Sequence, residues 1–297
     1  MPKRTMNWND EGLEYLQYTK ELQLQHVYQE SLENVKYKLN NLYSKHDKLT
    51  YADVLQYNRM QKIEHDLISE INALGGKAKR ITRATLKEGF EHSYYFTGFA
   101  VENHTGINMG FTKLPVDTIE AALEDPYDWP IRTTTNGKLL KQRLKDTVVR
   151  SLIQGYSYGK MVTHLTQSMN IGLKSARKLL RTEVHRAQVK GRLVAIEKTE
   201  EATKLLKVKT IRTWRSTKDD RTRDSHKSMQ GKPANKKGLF TLPSGAKARG
   251  PGLSGIAEED INCRCTIMLV FPDYEPEVDE AIGMEPKKGF SCLLKNR

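Results

Sequence analysis

A chain of 297 residues, 37% hydrophobic and 29% charged, is long enough to bury one large or two modest cores and too apolar to be disordered throughout. No stretch approaches the roughly 18 consecutive apolar residues of a membrane helix and no apolar signal segment follows the basic N-terminus, so the expectation is a soluble protein made without a leader. The formal net charge of +13 is unevenly placed, with 28 Lys and Arg against 8 Asp and Glu between Lys138 and Arg249, which is the electrostatic footprint of a protein that meets a polyanion.

In chain order, Asp10 is placed to cap a helix carrying Leu13, Leu16, Leu24, Val27, Leu32, Val35, Leu39 and Leu42, mostly three or four apart, that ends near Ser44. Thr50 and Asp53 have the spacing of a capping box, and the stripe Ala52, Leu55, Ile63, Leu67, Ile71, Leu74 runs to Gly75-Gly76, which reads as a stop signal. Two antiparallel helices joined by a short loop are therefore predicted. Seven tyrosines (15, 18, 28, 37, 43, 51 and 57) decorate the pair, most simply as core and rim packing. A further helix is predicted over 83–102, with Phe90, Tyr94, Tyr95, Phe96 and Phe99, and glycines 98, 106 and 110 interrupt regular structure toward and beyond its end. Pro115 and the segment E-D-P-Y-D-W-P read as a boundary, with a border near 130–137. Residues 1–135 form an N-terminal helical region on this reading, a candidate contact surface for other proteins.

Beyond it, Leu140, Leu144, Val148 and Leu152 step by four, Gly155-Tyr-Ser-Tyr-Gly159 makes a turn, and a short helix over 161–169 precedes a long one over 172–199. The long helix carries Leu173, Ala176, Leu180, Val184, Ala187, Gly191 and Val194 on one face. Lys174, Arg177, Lys178, Arg186, Lys190 and Arg192 lie on the other and form the candidate DNA-contacting face, suited to phosphate rather than to base edges. The order of helices is also that of a helix-turn-helix, which leaves a free-standing DNA-binding regulator as an alternative.

Ile211, Thr213 and Trp214 open a strand, and T-I-M-L-V-F over 266–271 is a second. The loop between them holds Asp219, Asp220, Arg221, Arg223, Asp224 and His226 at one end and Asn262, Cys263, Arg264 and Cys265 at the other, polar groups that meet once the strands pair. Three cysteines, an odd number, argue for reduced thiols. His226, Cys263 and Cys265, with Asp219 or Asp224, are ligand types suited to zinc, but C-x-C beside a lone His lacks the paired C-x-x-C spacing of structural zinc sites. His226 and the carboxylates are read instead as binding backbone groups or Arg264 across the loop, and no cofactor is assigned. H-E-x-x-H, G-x-S-x-G and G-x-x-x-x-G-K-[ST] are all missing, and L-P-S-G-A-K-A-R-G-P-G-L-S-G reads as a flexible basic loop. A metal-dependent, nuclease-like enzyme using Asp219, His226, Cys263 and Cys265 is the second alternative. Upstream, Arg181 and Glu183 in R-T-E are charged residues among apolar neighbours, expected to brace the 219–226 loop and to answer Arg221 or Arg223. After Phe271 the chain turns acidic and proline-rich, predicting a flexible tail over 272–297 in which Cys292 is incidental.

Arg181-Thr182-Glu183 on a helix, then Trp214, T-x-D-x-R-T-R-x-x-H, Phe240 with Leu242-Pro243, and N-C-R-C together resemble the C-terminal module of the phage Mu F-type head morphogenesis family, the minor head proteins of tailed phages. The resemblance covers roughly 139–271. The first hundred residues are similar only in being helical, and relatives carry additional cysteines near Arg223 to His226 that this chain lacks. It implies a predominantly helical α+β protein in which a module over 136–271 packs about three helices on a short sheet. It further implies a non-enzymatic minor head protein that associates with the portal protein, and with major capsid or scaffolding protein, and that affects head assembly and DNA ejection. Double-stranded DNA without sequence preference would be its other partner, no membrane is involved, and its place would be the virion interior near the portal after assembly in the host cytoplasm.

Overall fold

Apolar residues at three-four spacing build five helices of at least two turns among the described residues of the computed structural model, which are 8–43, 59–124, 129–217 and 219–272. They are α1 (Trp8–Tyr43), α2 (Arg59–Thr105), α3 (Val116–Glu124), α4 (Trp129–Ile153) and α5 (Tyr158–Leu205). The predicted capping box at 50–53 and the acidic tail from 273 onward lie outside these residues. None of the described helices is long and apolar enough to cross a membrane.

The helices are longer and fewer than predicted. Gly75-Gly76 does not stop a helix: α2 runs through both for 47 residues and absorbs the segment expected as a separate helix over 83–102. Ile71, Leu74 and Ala78 on either side are buried in the bundle, and that burial outweighs the helix penalty of about 1 kcal/mol per glycine. The helix ends at Thr105, where Gly106 takes φ +66°. In the same way the two helices expected over 161–169 and 172–199 are one, the 48-residue α5, whose entry is capped by the Ser157 side chain accepting from Lys160 N. Gly172 lets it close on the other helices, since a Cβ there would lie 3.0 Å from Leu140 and 3.3 Å from Tyr28. The border expected near 130–137 falls inside α4, because Pro130 occupies the first turn, where its missing N–H costs nothing.

Two cores share α5. Leu173, Leu180, Val184 and Ala187 face the bundle core with α1, α2 and α4, whereas Val189, Leu193 and Ile196 belong to a second core with Trp214, Phe240, Leu242, Cys263, Cys265 and Ile267. At the changeover α5 touches α2 closely: a Cβ on Gly191 would lie 2.2 Å from the Phe90 carbonyl oxygen.

After α5 come β1 (Ile211–Arg215), α6 (Asp224–Lys227), β2 (Phe240–Thr241), β3 (Lys247–Ala248), α7 (Ala257–Asp260) and β4 (Thr266–Val270). β1 and β4 are antiparallel with Trp214 opposite Ile267, and β2 pairs with β3. On its other edge β1 is followed by 231–234, through Trp214 N to Lys232 O at 2.9 Å and Ala234 N to Arg212 O at 2.8 Å. The fold is predominantly helical α+β, and α5 is the helix that packs on β4.

Candidate functional site

The β1–β4 pairing brings the two ends of the long loop together. Arg264 donates to both Asp219 oxygens, at 2.5 and 2.7 Å, while Asp219 also accepts from Thr222 Oγ1 at 2.9 Å and Arg221 N at 3.2 Å. Thr217 Oγ1 donates to Arg264 O at 2.6 Å. The Arg264 guanidinium is the main reason that the Asp219 carboxyl is held far below the ordinary aspartate value, against a smaller opposing effect of burial. Arg223 donates to the carbonyls of Glu259 and Ile261 and so ties the loop after β1 to the segment before β4. Arg221 and Asp224 do not join this stitching: Arg221 points into solvent 3.9 Å from Asp219, and the exposed Asp224 pairs with Lys227.

Beneath the clasp lies a buried cluster. The single turn of α6 turns His226 inward, edge-on to Trp214 at 5.5 Å between ring centroids. Its Nε2 is 2.9 Å from Glu259 Oε2, and its Nδ1 is 3.5 Å from the Sγ atoms of both Cys263 and Cys265. The cysteines are two apart in an extended run, so both face the ring. Asn262, at φ +56°, turns the chain into that run, and its N–H reaches Thr182 Oγ1 at 3.4 Å. His226, Cys263 and Cys265 are only 2%, 3% and 2% exposed, and both cysteines are free. The hydrogen bond from the Cys263 thiol, opposed by burial and reinforced by His226, lowers Cys265 to about 4. That same contact, with burial, pushes Cys263 well up. Burial alone would lower His226, but the Cys265 thiolate and the Glu259 carboxylate outweigh it and raise its pKa. The arrangement is an imidazole held between two cysteine sulfurs and a carboxyl group, closed to solvent.

R-T-E is a hub rather than a brace for the 219–226 loop. Consecutive helical residues point about 100° apart, and the three side chains serve three places. Arg181 turns to α1 and grips both Glu21 oxygens at 2.5 and 2.6 Å. Thr182 meets Asn262. Glu183 points inward to Arg186 at 2.7 Å, with Arg132 of α4 at 3.4 Å, rather than to Arg221 or Arg223. Arg186 continues to Asp260 at 3.2 Å and to Gly252 O at 2.9 Å. Burial raises the Glu183 pKa against the pull of the two arginines.

The six residues of the candidate DNA face on α5 do not share one exposed surface. Lys174 and Lys178 are exposed, and half-buried Arg177 donates to Gln25 Oε1 at 2.6 Å. Half-buried Lys190 donates to Ala122 O at 2.5 Å. Arg186 and Arg192 are buried, Arg192 donating to Thr266 Oγ1 and Ile267 O. The reason is the double duty of α5: from Arg186 onward its second face is covered by the strand module. Exposed positive charge lies instead on Lys227, Lys232, Lys236, Lys237, Lys247 and Arg249, in a stretch from Ser225 to Ala257 that contains no Asp or Glu. The loop expected to be merely flexible and basic is packed at its glycines, since a Cβ on Gly250 would lie 2.6 Å from Ile267 and 2.8 Å from Val189. Glu259 and Asp260, the partners of His226 and Arg186, escaped the sequence reading. Their signal was an acidic run, E-E-D, just ahead of N-C-R-C.

Residues 142–268, from α4 through β4, match the family described as Phage Mu protein F like protein. Minor head protein GP7 of Bacillus phage SPP1 is 31% identical over 272 residues, which cover 88% of this chain and 85% of that protein. The NAD(+)–arginine ADP-ribosyltransferase EFV of Enterococcus faecalis is 25% identical over 259 residues, which cover 86% of this chain and 52% of that protein. The chain thus spans about half the length of that second relative. No solved structure matches the chain.

Proposed function

Because the chain belongs to the phage Mu protein F-like family of minor head proteins, we propose that it serves as a structural component of a tailed-phage head that holds packaged DNA by its phosphates and meets the portal through its helical N-terminal half. The observation that carries the DNA contact is the exposed Lys232, Lys236, Lys237 and Lys247 in a stretch without an acid, Lys227 and Arg249 at its ends being paired with Asp224 and Glu197. Lys232, Lys236 and Lys237 sit beside the outer edge of β1, on a turn in which Asn235 Oδ1 accepts from the backbone of Lys237 and Leu239. A fixed turn that presents lysines to solvent suits a sequence-indifferent polyanion surface, in which neutralised phosphates release counterions. The family supports a place in the virion, and the exposed Tyr15, Tyr18 and Tyr37 of α1 are the surface assigned to the portal, with an effect on DNA ejection following from that position. Asp219 and His226 are occupied by Arg264 and Glu259, which favours a structural over a catalytic use of the loop.

A gel-shift salt series on two unrelated duplexes tests the DNA contact. Equal affinity for both is expected, falling steeply with salt, and replacing Lys232, Lys236 and Lys237 together by Ala should lower the logarithmic salt slope by up to about 3. A preference of about 100-fold for one duplex would favour the regulator reading, and absence of binding in dilute buffer would refute the contact. Co-purification with the portal protein of the same phage tests the second half of the proposal.

A further inference from the structure

We propose that Cys263, Cys265 and His226 bind one zinc ion, a structural metal that staples the loop after β1 to the segment before β4. The ligand atoms already stand at the separations such an ion requires. Each Sγ is 3.5 Å from His226 Nδ1, and all three atoms lie within 4.8 Å of one another. With Zn–S near 2.3 Å and Zn–N near 2.0–2.1 Å at tetrahedral angles, sulfur and nitrogen ligands are about 3.5 Å apart. The two sulfur–nitrogen separations need no adjustment.

The surroundings suit a metal as well as the distances do. Glu259 on Nε2 fixes the tautomer that leaves the Nδ1 lone pair facing the two sulfurs, the carboxylate–histidine arrangement by which ligating imidazoles are oriented. Two thiolates and an imidazole select zinc over magnesium or calcium. Binding replaces the cysteine thiol protons with the ion, whose double positive charge the two thiolates balance. Among the described residues no further His, Cys, Asp or Glu joins the group, which leaves the fourth position to a water molecule. The spacing C-x-C is no obstacle, because the third ligand arrives from α6 across the sheet rather than from the next turn of the same loop.

Elemental analysis of the full chain, purified reduced and without chelator, should find about one zinc per chain. Cys263→Ser and Cys265→Ser should each lose most of it, whereas Cys292→Ser should keep it. Cobalt-loaded wild type should show the intense absorption of tetrahedral thiolate coordination. Glu259→Gln should retain stoichiometry with affinity lowered about 10- to 100-fold, the range for an orienting partner. If the serine variants do not fold, the wild type decides by itself: chelator should strip the ion, expose two thiols to a thiol reagent and lower Tm. A folded, reduced wild-type chain that stays zinc-free after dialysis against excess zinc overturns the proposal, whatever the outcome for DNA.

Discussion

The bundle of α1, α2, α4 and α5 buries Leu, Ile and Val at regular intervals, and many of its ion pairs, such as Lys145–Glu64 at 2.9 Å, sit in solvent. The strand module over 211–272 has short strands, two single-turn helices and a small core; Asp224–Lys227 lies at its surface, but Asp260 pairs with Arg186 of α5 in the interior. The contrast teaches where each region is vulnerable. Exposed pairs contribute roughly 0–1 kcal/mol, whereas removing one partner of a buried pair costs about 3–5 kcal/mol because the other charge is stranded. The exposed pairs of the bundle should therefore be dispensable, and the buried Arg186–Asp260 pair of the module should not.

The sharpest break of that contrast is Asp260→Ala. Asp260 accepts from Arg186 and from Ser254 N, Ser254 Oγ and Gly255 N at 2.7–3.2 Å, wholly inside the protein. Denaturant unfolding should show a loss of about 3–5 kcal/mol. Lys145→Ala in the bundle should cost less than about 1 kcal/mol, and equal losses would erase the distinction. Next in size is Gly191→Ala, where the new methyl meets the Phe90 carbonyl of a neighbouring helix rather than a movable side chain. A destabilisation of about 1–3 kcal/mol is expected.

The stripes of the bundle were legible because periodicity reports which face is apolar: Leu24, Leu32, Val35 and Leu39 are all buried as their spacing predicts. The β1–β4 pair was legible from Ile211, Thr213 and Trp214 at one end of the loop and the apolar run over 266–271 at the other, and the meeting of Asp219 with Arg264 came from placing the loop ends together. Periodicity says nothing of a second layer packed on the polar face, which is why Arg186 and Arg192 read as outward and lie inside. Nor does a four-residue helix such as α7 have a period, so Glu259 and Asp260 left no pattern to read. The continuous helices were missed because glycine signals are local, and the burial that overrides them is not.

A smaller effect tests the clasp by pH. The pair Asp219–Arg264 is partly exposed, with side-chain exposures of 17% and 31%, so Arg264→Gln should cost only about 1 kcal/mol at neutral pH. The folded pKa of Asp219 lies below its ordinary value of 3.8. The stabilisation is therefore fully present above that value and is lost as the pH falls toward the folded pKa. The gap in Tm between wild type and variant should be constant near neutrality and close only below about pH 4. A gap that closed between pH 5 and 7 would assign the titration to another group.

The smallest effect is the most direct test of how the bundle overrides its own sequence. A Cβ at Gly75 or Gly76 would meet no atom within 4 Å, and neither glycine adopts a positive φ. Nothing in the folded state needs either to be glycine if packing alone carries α2 through them. Gly75→Ala and Gly76→Ala should then each stabilise the chain by about 0.5–1 kcal/mol, by restricting the unfolded backbone and restoring helix propensity. The gain should appear as a higher Tm with unchanged helical circular dichroism. A loss at either position would mean that the backbone there departs from regular helix, and that burial alone does not carry α2 through the two glycines.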